Sequence, residues 1–141
     1  FSGVAFAEDC TLAMVPIAFG PYDPFVAVVQ QAEGRVTVDC TKRPDLTKKI
    51  DYVIRFDAGQ GSGGVFNPRR MKVIGGDASI RYNIFTDPSG TKIWGDGTGG
   101  TYTQSGNGDI VGEFIIFGRI RGRQNAVVGT YDDDLMITVE F

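Results

Sequence analysis

Asp134-Leu135-Met136-Ile137-Thr138-Val139-Glu140-Phe141 stands at the end of the sequence, with Leu135, Ile137, Val139 and Phe141 at every second position and Thr138 and Glu140 between them. Successive side chains of a strand point to opposite faces, whereas the apolar stripe of a helix recurs every three to four residues. The stretch is therefore a half-buried β-strand. The same period of two recurs upstream, where Val36, Val38 and Cys40 share one face, Tyr52, Ile54 and Phe56 another, and Ile80, Tyr82 and Ile84 a third. A fifth segment, Gly112 to Gly118, is a short apolar run bounded by glycines.

Between these segments lie turn-rich stretches: Phe19 to Pro24, Asp57 to Gly64 and Trp94 to Gly100. Their glycines reach backbone conformations closed to other residues, and Asp side chains bond back to nearby amides. Twenty glycines, six prolines and no long helical spacing give about six or seven short strands. The expected fold is an all-β, immunoglobulin-like antiparallel sandwich of two sheets in a single domain, with no linker or internal repeat.

At 141 residues, 42% hydrophobic and 22% charged, the chain can bury a core, and it contains no apolar run long enough for membrane insertion. A formal charge of -3 without a basic block gives no footprint for nucleic acid. Two cysteines and no histidine do not complete a zinc site, so Cys10 and Cys40 are expected to form a disulfide worth about 3–4 kcal/mol in the chain-entropy model.

The absence of histidine also removes the usual base for a nucleophilic serine, and the carboxylates are spread evenly over the turns. The glycine-rich stretches 61–64 and 95–100 lack the lysine of a phosphate-binding loop, and Asp96 and Asp132 to Asp134 lack the spacing of a calcium loop. No catalytic, cofactor-binding or metal-binding residue is expected, and the chain is not read as an enzyme.

The first seven residues allow two readings. Ala5-Phe6-Ala7 after an apolar stretch fits the pattern of a signal-peptide remnant covering residues 1–7, with the mature domain at 8–141 starting at Glu8. Alternatively, Val4 and Phe6 alternate with small residues as in a first strand.

An ordered set of short motifs resembles the spore coat protein U domain family. It comprises Cys10, Phe19-Gly20-Pro21-Tyr22-Asp23-Pro24, Val38-Asp39-Cys40-Thr41, Tyr82 to Asp87, Trp94-Gly95-Asp96-Gly97-Thr98, Gly118-Arg119-Ile120, Gln124, Gly129 to Asp133 and Ile137 to Phe141. The resemblance covers nearly the whole domain from Cys10 onward. It implies a secreted subunit of an archaic chaperone-usher pilus, exported through the periplasm to the cell surface and supporting adhesion and biofilm formation. Its partners would be a periplasmic chaperone, an outer-membrane usher and other pilus subunits, with no cofactor.

In that family the sandwich lacks its last strand, and a donor strand completes it. The resemblance thus implies that Leu135, Ile137, Val139 and Phe141 border a groove that takes the chaperone or donor strand, and that Cys10 and Cys40 tie the first two strands together. A shaft subunit would carry a donor segment of some ten residues before its first cysteine. Cleavage after Ala7 would leave only Glu8 and Asp9, which suits a tip subunit, unless Phe1 to Ala7 end a longer donor segment.

A surface-binding tip subunit would use apolar loop tips, for which Tyr22, Phe25, Phe66 and Trp94 are the candidates. For Trp94 the other reading is a ring that anchors a turn. A stand-alone secreted spore-coat or surface-binding protein with a complete sandwich is the alternative.

Overall fold

The computed structural model describes residues 2–5, 10–43, 50–107 and 110–141, with the backbone alone for 2–5 and 107. All regular structure among them is β: β1 (Ser2–Ala5), β2 (Thr11–Val15), β3 (Gln30–Asp39), β4 (Asp51–Phe56), β5 (Arg69–Val73), β6 (Ser79–Phe85), β7 (Gln104–Asn107), β8 (Val111–Ile120), β9 (Tyr131–Asp132) and β10 (Met136–Glu140). No helix among the described residues is long and apolar enough to cross a membrane.

The strands form two sheets, one ordered β1-β10-β4-β7 and the other β2-β3-β8-β6-β5-β9. This is the two-layer sandwich expected from the alternation, with more strands than expected. The additional ones, β1, β7 and β9, span two to four residues, too few to show a period. Every pairing is antiparallel except β1 with β10, which run parallel.

The apolar faces meet as the spacing demands. Val36 and Val38 of β3, Ile80 and Ile84 of β6 and Ile116 and Ile120 of β8 oppose Tyr52, Ile54 and Phe56 of β4 and Ile137 and Val139 of β10, all within 5% of full burial. Close approach is bought with glycine at Gly106 of β7, where a Cβ would lie 2.0 Å from the Tyr52 ring. The β2–β3 ladder pairs Thr11 with Asp39, and the Cys10–Cys40 disulfide extends it by one rung.

A buried polar hub joins the sheets. Arg69, fully buried at the start of β5, donates to Oδ1 of Asn83 (2.9 Å), to the Trp94 carbonyl (2.7 Å) and to the Asp57 carbonyl (2.6 Å). Its guanidinium lies 5.3 Å from the centre of the Phe66 ring, and Asn83 donates to the Phe66 carbonyl (2.7 Å). Burial pushes the Arg69 pKa down to about 10, partly offset by the charges of Asp57, Asp133 and Asp96. A guanidinium taken out of water must have its donors satisfied, and three backbone or amide oxygens do so here.

Candidate functional site

β10 is held on one side by β4, where Ile137 pairs with Phe56 and Val139 with Ile54. Asp57 fixes its start: the Met136 amide donates to the Asp57 carboxylate (2.9 Å), and the Asp57 amide donates to the Met136 carbonyl (3.0 Å). An ion pair between Arg55 and Glu140 spans the same two strands on their outer face. Leu135, Ile137 and Val139 are fully buried, and the Phe141 ring packs at 5.5 Å from that of Tyr52. The four apolar residues expected at a groove thus form one row pointing into the sandwich beneath the side of β10 that faces away from β4.

That side is covered by β1. Ser2 pairs with Met136, Gly3 with Ile137, Val4 with Thr138 and Ala5 with Val139, all in parallel. The cover comes from the stretch for which the sequence offered a signal-peptide remnant or a strand. Phe1 and Phe6 to Asp9, including the expected mature start at Glu8, lie outside the described residues.

The residues entering β10 tie it to the opposite sheet. Tyr82 of β6 donates its hydroxyl to Oδ2 of Asp133 (2.5 Å), whose Oδ1 accepts the Gln60 and Gly61 amides at 2.9 and 3.1 Å. Burial pushes the Asp133 carboxyl above its ordinary range, opposed by these hydrogen bonds. Burial, with the adjacent Asp133 charge, likewise drives the Tyr82 phenol far upward, so it stays a neutral donor. A Cβ at Gly59 would fall 2.1 Å from Asp133 Oδ2, which explains a glycine there.

Of the expected surface-contact residues, Tyr22 and Trp94 are core residues, exposed by 2% and 0%. The Trp94 indole donates to the Ile54 carbonyl (3.0 Å) and meets Phe56 edge-on, so it anchors its turn. The Tyr22 hydroxyl accepts the Gln124 amide (2.8 Å), and its ring meets Tyr131 edge-on. In both cases a polar group on the ring finds a buried partner, which overrides the loop position. Phe66 is half-buried against Arg69, whereas Phe25 is 85% exposed.

Phe25 has neighbours that the sequence reading missed. Val26 and Val28 of its own loop and Val127 and Val128 of a second loop are also exposed. The two loops are joined by the paired backbones of Tyr22 and Gly129 and by a bond from the Arg123 amide to the Val26 carbonyl (3.2 Å). An unalternating apolar run within a turn-rich stretch, Phe25 to Val29, was the available signal.

A family model for the Spore Coat Protein U domain matches residues 2–138. Among solved structures the chain is similar to one in the crystal structure of the CsuC-CsuE chaperone-tip adhesion subunit pre-assembly complex, from archaic chaperone-usher Csu pili of Acinetobacter baumannii. The TM-score is 0.57 at 22% identity, over 94% of this chain and 40% of the other. This chain therefore spans less than half the length of that relative. No curated protein matches.

Proposed function

The chain belongs to the Spore Coat Protein U domain family, and from that premise we propose that it is a structural subunit of a chaperone-usher pilus, assembled by strand donation at the outer side of β10. The observation that carries this reading is the pairing of β10 with β1: a short, parallel segment more than one hundred and thirty residues away in sequence covers that edge through backbone pairing. Without β1 that edge would present unpaired amides and carbonyls above a row of buried apolar side chains, and such an edge invites an added strand. A donated or chaperone strand would take the place of β1 and pair with Met136 to Glu140 over Leu135, Ile137, Val139 and Phe141. The likeness to a subunit solved as a chaperone complex supports a periplasmic chaperone as the first partner. An outer-membrane usher and further subunits follow from the same reading, with the cell surface as destination and a structural role, not a catalytic one.

A tip position with adhesion and biofilm support is the finer form of this reading, and the exposed Phe25, Val26, Val28, Val127 and Val128 favour it. A stand-alone coat or surface-binding protein is the second reading, favoured by β1 itself, because a chain that covers its own edge has a complete sandwich.

Co-expression in a periplasm with a chaperone of an archaic chaperone-usher pathway separates them. A stoichiometric complex that loses its chaperone to a peptide of alternating apolar residues is the expected outcome. A monomer that ignores both chaperone and peptide would establish the stand-alone reading.

A further inference from the structure

The outer face of the six-stranded sheet carries a groove of about 430 Å3 between the turn at Asn67-Pro68 and the turn at Gly90-Thr91. That volume lies in the range of small-molecule sites. Its charged lining consists of three arginines, Arg81, Arg119 and Arg121, and no acid lines it, although the chain as a whole carries a formal charge of -3. Among the described residues, the ion pairs are Arg35 with Glu113 and Arg55 with Glu140, so none neutralises these three.

The arginines are held in place. Gln124, 9% exposed, accepts the Arg81 amide at 2.6 Å and donates to the Arg81 carbonyl at 2.7 Å and the Arg121 carbonyl at 3.1 Å. One buried amide thus clips the two backbones side by side just beyond the last β6–β8 pair, Tyr82 with Ile120. Arg119, opposite Asn83, donates to the Pro88 carbonyl (2.8 Å). Gly90, at φ +70, lies against its guanidinium, where a Cβ would come within 2.7 Å. The carboxylate of that turn, Asp87, is engaged by Ser89, Thr91 and Lys92. Like charges held side by side on adjacent strands repel. An anion bound between them removes that cost.

We propose that this groove binds an acidic polysaccharide, with Arg81, Arg119 and Arg121 taking the carboxylates of uronic-acid units and Val29, Pro68, Phe85 and Ile93 meeting the apolar faces of the sugar rings. Guanidinium forks match carboxylates in bidentate geometry. The floor is a sheet face whose backbone groups are already paired through β6, β8 and β3, so an acidic peptide would find no backbone partners there. Three arginines in one groove, with no basic block elsewhere in the sequence, give no extended footprint for the phosphates of a nucleic acid. The groove lies on the sheet that does not contain β10, so it remains open when a strand is added at that edge.

Calorimetric titration of the intact chain with hexagalacturonate at low ionic strength tests this. The expected result is saturable binding that weakens with added salt, is absent for the fully methyl-esterified hexamer, and falls at least about tenfold in Arg81→Gln, Arg119→Gln and Arg121→Gln combined. Arg35→Gln, elsewhere on the same sheet, should bind as the parent does. In case the triple variant misfolds, amide shift perturbations in the parent should map to residues 81–93 and 119–121. No saturable binding, perturbations centred elsewhere, unchanged affinity in a folded triple variant, or equal affinity for a polyglutamate peptide would overturn the assignment.

Discussion

The first strands of the chain close one edge of each sheet, and they do so with very different strength. β2 meets β3 over five antiparallel pairs capped by a disulfide, with Leu12 and Met14 packed against the core. β1 meets β10 over four parallel pairs. Parallel pairing is the weaker kind per residue, and strands this short have little independent stability. The difference teaches where the sandwich is stapled and where it is thinly held: a covalent bond guards the edge of the six-stranded sheet, while four parallel pairs cover the edge of the four-stranded sheet, the one at which the proposed strand donation would occur.

The largest effect should come from erasing the asymmetry. Replacing Cys10 and Cys40 together by Ala is expected to cost about 3–4 kcal/mol, because the bond closes a loop across a sequence separation of 30, and the loss is read as a fall in the denaturant midpoint. Of overlapping size, Ile137→Ala should cost about 2–5 kcal/mol in the same assay, since Ile137 is fully buried and its removal leaves a cavity. That outcome would show β10 to be core even though its outer edge is thinly covered. A cost below about 1 kcal/mol would instead make the whole of β10 peripheral.

Gly118→Ala is expected to cost about 1–3 kcal/mol, as a Cβ there would lie 2.6 Å from the Phe19 ring that follows β2. Removing residues 1–5 should cost less than about 1 kcal/mol, in keeping with an edge that opens locally.

The smallest effect is a pH dependence at the entry to β10. Because burial raises the folded-state pKa of Asp133 above its unfolded value, the folded chain takes up that proton more readily. This group's contribution to stability therefore grows as pH falls through the raised folded value and levels off below the unfolded one, near 3.8. The difference in stability between the parent and Asp133→Asn should follow that slope in acid denaturation curves, and a flat difference would contradict it.

Most of the fold was legible because strand alternation was long and regular in β3, β4, β6 and β10. The hub around Arg69 was not, since one arginine of the pair Arg69-Arg70 is fully buried and its neighbour exposed, a choice made by carbonyls from Asp57 and Trp94 far away in sequence. Tyr22 misled for a related reason: its turn is glycine-rich, yet its hydroxyl has a buried hydrogen-bond partner that no local pattern announces, whereas Trp94 takes the second of its two readings, a ring that anchors a turn. The row Leu135, Ile137, Val139 and Phe141 was readable as a strand face. Its cover by β1 was not, because four residues are too few to reveal a parallel partner at the other end of the chain.

The most direct test of an exchangeable edge is native-state hydrogen exchange of the disulfide-intact chain, alone and with a synthetic peptide of alternating apolar residues. The amides of β10 should exchange faster than those of β3 and β8 in the free chain and become protected to a similar degree when the peptide binds, with β1 released at the same time. β10 amides that exchange only with global unfolding, at rates the peptide leaves unchanged, would contradict strand donation and establish a sandwich that is complete in itself.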